Sequence, residues 1–173
     1  TEREGDFSVG LLVAMHDGIF YVEDMVRGRW SSGERDREMR KTAEQDALRY
    51  KNTVTIWIEQ EGGSGGKESA QSSVKLLVGY PVYTERSSGK KEVRADPFAS
   101  QARGGNVRML RASWNRDFID EMCAFPNGAH DDIVDAVSMA FNKLALTNIT
   151  QATLKVYSIQ SGNSIKEVIR WLP

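Results

Sequence analysis

The sequence predicts an α/β fold in which helices cover a mixed sheet, and two observations carry this prediction. The chain opens with apolar segments at 7–14 and 19–26 that flank a His16-Asp17-Gly18 turn, the pattern of an antiparallel hairpin. From there to about Leu146, short apolar segments alternate with longer segments that carry apolar residues at helical spacing. Such alternation is typical of strands that pair in one sheet and of helices that pack on it.

Local signals predict the elements of the first half in order. A serine pair at 31–32 can cap a helix that extends to about Tyr50. The apolar run Val54 to Ile58 then predicts a short, buried central strand. A glycine-rich loop at 62–66 separates this strand from a helix at 67–78.

The second half continues the alternation. Asp96-Pro97 predicts the start of a helix, because proline is tolerated in a first turn, and Gly104-Gly105 predicts its end. The other predicted elements are strands at 82–84 and 107–110 and helices at 115–124 and 131–146.

The sequence changes character beyond Leu146. We therefore predict a domain at 1–146 and an extension at 147–173 to which no role is assigned. Within the extension, Thr153 to Ile159 predicts a strand, and a capping box at Ser164 predicts a final helix that ends at Leu172.

Composition limits the classes of protein to which the chain can belong. With 173 residues, of which 40% are hydrophobic and 27% charged, the chain suits one compact domain. Its uncharged stretches are shorter than the roughly 20 apolar residues of a membrane span, so we expect no membrane segment and an intracellular protein. The single cysteine, Cys123, excludes an internal disulfide framework, and its apolar neighbours predict a buried thiol.

The strongest chemical signal is the acidic cluster that opens the predicted helix at 131–146. Residues three and four positions apart share a helix face, so Asp135 lies beside both Asp131 and Asp132. Such carboxylates repel one another unless protons or cations compensate them, and a divalent ion is the usual compensator. Helix capping explains Asp131 and Asp132 but not Asp135, so the pattern favours a metal site.

A further carboxylate, Glu59, follows the predicted central strand where the chain enters the glycine-rich loop. Open α/β sheets place ligand groups at the carboxyl ends of their strands, which makes Glu59 the first candidate and Glu61 the second. The loop ends in Lys67, as a phosphate-binding P-loop does. However, Glu68 stands where such a loop needs Ser or Thr to hold magnesium, so nucleotide binding is not expected.

Basic residues are concentrated between these acidic segments. Residues 85–116 contain eight basic and three acidic residues, although the whole chain has a net charge of -1. A phosphate-binding surface beside an acidic metal site would separate charge in this way, and an ordinary solvated surface is the alternative. The candidates for binding DNA phosphates are Lys90, Lys91, Arg94 and Arg103.

Several segments, taken in order, resemble the C-terminal nuclease domain of tailed-phage terminase large subunits. They lie at 5–10, 58–61, 63–67, 91–95, 114–118, 125–128 and 130–136. The resemblance implies an RNase H-like fold related to Holliday-junction resolvases, with helices on both faces of the mixed sheet. It also implies acidic residues that bind two magnesium or manganese ions.

The resemblance assigns residues by position. Glu59 matches the second carboxylate of the family, and the cluster of Asp131, Asp132 and Asp135 matches the third. Lys91 and Arg94 match basic residues that precede the helix at Pro97. The first aspartate of the family lies on a strand upstream of the Asp6-Phe7 stretch, so we expect that aspartate and its strand before Thr1.

The activity that the resemblance implies is the cutting of concatemeric viral DNA during packaging in the host cell cytoplasm. We expect hydrolysis by two ions about 3.5–4 Å apart, with Glu59, Asp132 and Asp135 as metal ligands and Asp131 as a further catalytic carboxylate. The expected partners are double-stranded DNA, an upstream ATPase domain, the portal and the small terminase subunit. The alternatives are a branched-DNA resolvase of the same fold and a catalytically incomplete docking domain for the portal or small subunit.

Overall fold

A computed structural model describes residues 7–51, 53–151 and 167–171 of the chain. The strands in these ranges are β1 (Ser8–His16), β2 (Ile19–Gly28), β3 (Val54–Glu59), β4 (Val82–Glu85), β5 (Val107–Met109) and β6 (Glu167–Trp171). The helices are α1 (Ser32–Tyr50), α2 (Gly63–Leu76), α3 (Lys91–Arg103), α4 (Asn115–Ala124) and α5 (Asp132–Gln151). None of these helices combines the length and hydrophobicity that a membrane span requires.

The strands form one mixed sheet with the order β4-β3-β6-β1-β2-β5. Strand β1 is antiparallel to β2 and β6, whereas β3 runs parallel to β4 and β6, and β5 runs parallel to β2. The predicted hairpin is confirmed: Asp17 and Gly18 adopt φ angles of 50° and 75°, which a two-residue turn between twisted strands requires.

Helices cover both faces of the sheet, as predicted. Successive side chains of a strand point to opposite faces. On β1, Leu11 packs in a cluster with Val137 of α5, whereas Leu12 packs in a second cluster beside Tyr50 of α1. On β3, Ile58 packs with α1. Helices α1 and α2 therefore lie on one face, and α3, α4 and α5 lie on the other.

The prediction that a helix begins at Asp96-Pro97 is wrong, because α3 begins at Lys91 and contains Pro97. The amide of Arg94 donates to the carbonyl of Lys90 at 3.2 Å, which closes the first helical turn. A proline inside a helix costs about 3 kcal/mol. Burial of Phe98 against α5 offsets much of this cost, since a buried aromatic side chain contributes roughly 1.5–3 kcal/mol.

Two further predictions are corrected. The predicted helix that ends at Leu172 is a strand over 167–171, because two β-branched residues there pair with β1 on one side and β3 on the other. Cys123 is exposed, since the buried stripe of α4 runs through Phe118 and Glu121 instead. The strand predicted at 153–159 and the capping box at Ser164 lie outside the described residues.

Candidate active site

A cleft of about 380 Å³ lies where β3 ends, between the start of α5 and the start of α1. The acidic side chains that line it are Glu59, Glu61, Asp131, Asp132 and Asp135. The structure therefore brings the candidate carboxylate of the central strand and the aspartates of α5 to one cleft.

Glu59 reaches this cleft because it is the last residue of β3. Ile58 is buried against α1, and the alternation of side chains turns Glu59 to the face on which Trp57 packs with α5. Gly66 of α2 allows that helix to pack closely against the loop that follows β3. A Cβ atom at Gly66 would lie 2.4 Å from the carbonyl oxygen of Glu61, so only glycine fits there without a shift of the backbone.

The aspartates are presented by the first turn of α5. The amide of Asp135 donates to the carbonyl of Asp131 at 3.0 Å, so the two residues lie one helical turn apart. Ile133 and Val134, which lie between them in the sequence, are buried in the core. Packing of these two residues fixes the orientation of the turn, and the acidic side chains are left facing the cleft.

Glu121 of α4 stabilises this turn and was missed by the sequence analysis. Its Oε1 accepts a hydrogen bond from the amide of Ile133 at 2.5 Å, and its Oε2 accepts one from Nη2 of Arg27 at 3.0 Å. Burial raises the pKa of Glu121, and the charge of Asp132 adds to this effect; the Ile133 amide and Arg27 oppose it. No sequence motif distinguishes Glu121 from the other acidic residues of this amphipathic helix, so the pattern alone does not predict its role.

Two basic side chains at the start of α3 form ion pairs with the acidic turn of α5. Nζ of Lys91 lies 2.7 Å from Oδ2 of Asp131 and 2.8 Å from Oδ2 of Asp135, and Nη2 of Arg94 lies 2.6 Å from Oδ1 of Asp135. Burial lowers the pKa of Lys91, but its hydrogen bonds to both aspartates outweigh burial, and the pKa is raised overall. Two of the predicted phosphate contacts therefore neutralise predicted catalytic residues.

The other predicted phosphate contacts lie elsewhere. Lys90 is the exposed residue that precedes α3. Arg103 lies at the far end of α3, roughly 18 Å along the helix axis from Lys91. Its ion pair, with Asp96 at 3.5 Å, is exposed to solvent. Arg103 is thus not brought together with the acidic residues of the cleft.

Divalent cations suit the donor set of this cleft. Carboxylate oxygens are the preferred ligands of magnesium and manganese. Within the described ranges, no three His, Cys, Asp or Glu side chains are close enough to hold an ion as they stand. The Lys91 ammonium lies between two of these carboxylates instead, so a protein side chain already compensates part of their negative charge. Glu59, Asp132 and Asp135 carry the oxygen donors that a divalent cation prefers, and they would hold one only once their side chains come closer together.

Comparison with known families agrees with this geometry. The family model described as a terminase RNaseH-like domain matches residues 2–144, which is most of the chain. The chain belongs to the terminase RNaseH-like domain family. A search of curated proteins found no significant match. In this terminase RNaseH-like domain, the acidic cleft and every helix that lines it begin within the matched residues, whereas β6 follows them.

Proposed function

We propose that this terminase RNaseH-like domain is a metal-dependent endonuclease that cuts concatemeric viral DNA during genome packaging. One observation carries the proposal: Glu59 and the aspartates that open α5 line the same cleft in a chain of this family. The cutting would take place in the host cell cytoplasm, with double-stranded DNA as substrate and the ATPase, portal and small terminase subunit as partners.

Glu59, Asp132 and Asp135 would hold two magnesium or manganese ions, with Asp131 as a further carboxylate at the rim. When bound, the ions would activate a water molecule and stabilise the leaving 3′ oxygen of the phosphodiester. The protein's own contribution is to hold in place the backbone that carries these carboxylates. Packing of Ile133 and Val134 and the hydrogen bond from Ile133 to Glu121 support that role.

Lys91 and Arg94 would change partners during the reaction. Both now bind aspartates, at distances from 2.6 to 2.8 Å. Once cations neutralise those aspartates, the ammonium and guanidinium groups become available to the phosphate that is to be cut. A cation beside the phosphate would stabilise the charge that develops in the transition state.

The test is a plasmid-nicking assay with manganese. The variants Asp132→Asn and Asp135→Asn remove one carboxylate charge each, and Asp96→Asn is the matched control because Asp96 is exposed and lies outside the cleft. Cutting that needs manganese and falls at least about a hundredfold in both cleft variants supports the proposal. Metal-independent cutting, or equal cutting by all variants, rejects it. A four-way junction cut in preference to linear duplex would favour the resolvase alternative.

A further inference from the structure

Arg35 brings positive charge to the acidic cleft from the other side of the sheet. It lies in the first turns of α1, which packs on the face opposite to α3 and α5. Its side chain nevertheless lines the cleft together with Glu59 and Lys91. It also lines a smaller adjoining cavity of about 110 Å³ beside Ser69 of α2. The cleft therefore has one basic wall on α3 and a second on α1.

The guanidinium of Arg35 has only weak partners within the protein. Nη2 lies 3.5 Å from Oγ of Ser69 and 3.9 Å from Oδ1 of Asp36. Its Nε is buried and has no hydrogen-bond partner. Arg94, on the other wall, bonds its aspartate at 2.6 Å. Although Arg35 shares a cleft with Glu59 and Glu61, its ion pairs in the described residues include neither of them.

A guanidinium at the edge of a cleft that lacks strong partners within the protein is available to bind an anion, and such a contact would offset the cost of its poorly satisfied donors. The chemistry that satisfies a guanidinium best is a pair of oxygens on one anion, as in a phosphate. With 24% of its side chain exposed, Arg35 is also accessible to a ligand.

We propose that Arg35 binds a backbone phosphate of the DNA substrate on the α1 side of the cleft. This inference rests on the proposed function, because it takes DNA as the ligand. Lys91 and Arg94 would hold the strand from the α3 side, and Arg35 would hold a neighbouring phosphate across the acidic floor. Contacts on both walls would set the direction in which the strand crosses the carboxylates.

The test measures DNA binding without cutting. Fluorescence anisotropy of a labelled duplex is recorded in calcium over a series of salt concentrations. Arg35→Met keeps the buried aliphatic stem and removes the guanidinium. Arg40→Met is the matched control, since Arg40 lies on the same helix, is 61% exposed and pairs with Glu44 outside the cleft.

Arg35→Met should weaken binding about tenfold, the loss expected for one charged hydrogen bond. The slope of log K against log salt should also fall by about one, because one phosphate contact is lost. Arg40→Met should change neither quantity. An affinity and slope for Arg35→Met equal to those of Arg40→Met would overturn the inference.

A third variant distinguishes the loss of a specific guanidinium contact from a general folding defect. Arg35→Lys keeps the charge but not the two-pronged donor, so it should keep the salt slope and bind several-fold more weakly than the wild type. Wild-type affinity in this variant would count against a guanidinium contact. Loss of binding by Arg35→Met in a protein that cuts nothing with manganese would support this contact and reject the nuclease. Normal binding by Arg35→Met in an active nuclease would reject the contact alone.

Discussion

Glu121 of α4 accepts a hydrogen bond from the backbone amide of Ile133 at 2.5 Å and thereby holds the first turn of α5 in place. The first amides of a helix have no partner within the helix, and this carboxylate supplies one from a neighbouring helix. The same carboxylate binds Arg27, whose guanidinium lies 3.7 Å from the centre of the Phe7 ring. The first turn of α5, which carries the candidate metal ligands, is therefore held in place by a polar network on its core side.

Loss of this acceptor should destabilise the domain and loosen the acidic turn of α5. We expect Glu121→Ala to lower the free energy of unfolding by about 1–3 kcal/mol, because it leaves the buried amide of Ile133 unpaired and Arg27 with only its longer ion pair to Asp117. Glu121→Gln keeps an acceptor oxygen and should lose much less. Urea denaturation of both variants measures the difference. Equal stability of the alanine and glutamine variants would show that the hydrogen bond to α5 does not matter.

The raised pKa of Glu121 gives its contribution a defined pH dependence. A carboxyl whose pKa is higher in the folded than in the unfolded protein stabilises the fold fully below the unfolded pKa. That contribution is lost as the pH rises through the folded pKa. The wild type should therefore lose stability relative to Glu121→Gln as the pH rises from about 4 through the raised pKa of the folded protein. Urea midpoints of the two proteins that stay parallel over this range would contradict the prediction.

The sequence was informative where local patterns decide the structure. The hairpin through Asp17, the strand that ends at Glu59 and the acidic turn at Asp132 could all be read from periodicity and turn residues. Tertiary packing decided the rest. Phe98 binds the core strongly enough to keep Pro97 inside a helix. Arg35 lies far from the acidic residues in the sequence. It shares a cleft with them only because that cleft lies at the end of β3, where residues from both faces of the sheet line it.

If divalent ions bind the cleft as proposed, Lys91 competes with them for the same carboxylates, since its ammonium bonds both Asp131 and Asp135. Without DNA, Lys91→Met should therefore bind manganese about two- to fivefold more tightly, the equivalent of an exposed ion pair. The same variant should cut plasmid DNA more slowly, because it would lack the proposed phosphate contact. Calorimetric titration with manganese measures the first effect and nicking rates the second. The control variant is Lys41→Met, because Lys41 is an exposed lysine of α1. If Lys91→Met bound manganese more weakly than this control, the prediction would be wrong.

Two neighbouring glycines of α2 should respond differently to alanine. At Gly66 the added Cβ meets the backbone of Glu61 at 2.4 Å, whereas nothing lies within 4 Å of a Cβ at Gly65. Gly66→Ala should cost about 1–3 kcal/mol and reduce cutting, because the loop after Glu59 must move. Gly65→Ala should be neutral or stabilise the helix by up to about 1 kcal/mol. Thermal unfolding of both variants tests this, and an equal response at the two positions would argue against the close approach of Gly66.

Strand β6 connects two parts of the sheet that otherwise have no pairing in the described residues. It pairs with Leu11–Met15 of β1 on one side and with Val54–Trp57 of β3 on the other. A chain that ends at Gln151 would leave the backbone groups of both strands without these partners, and unpaired buried groups are costly.

This truncation should therefore speed hydrogen exchange at the β1 amides that face β6. The amides through which β2 pairs with β5, at Phe20–Val22, are the internal control because their partner remains. Exchange that is unchanged at β1 would show that β6 contributes little to the sheet. Selective exchange at β1 with protection retained at β2 would instead give the predicted extension at 147–173 a structural role, as the segment that brings the strand of Glu59 beside the hairpin.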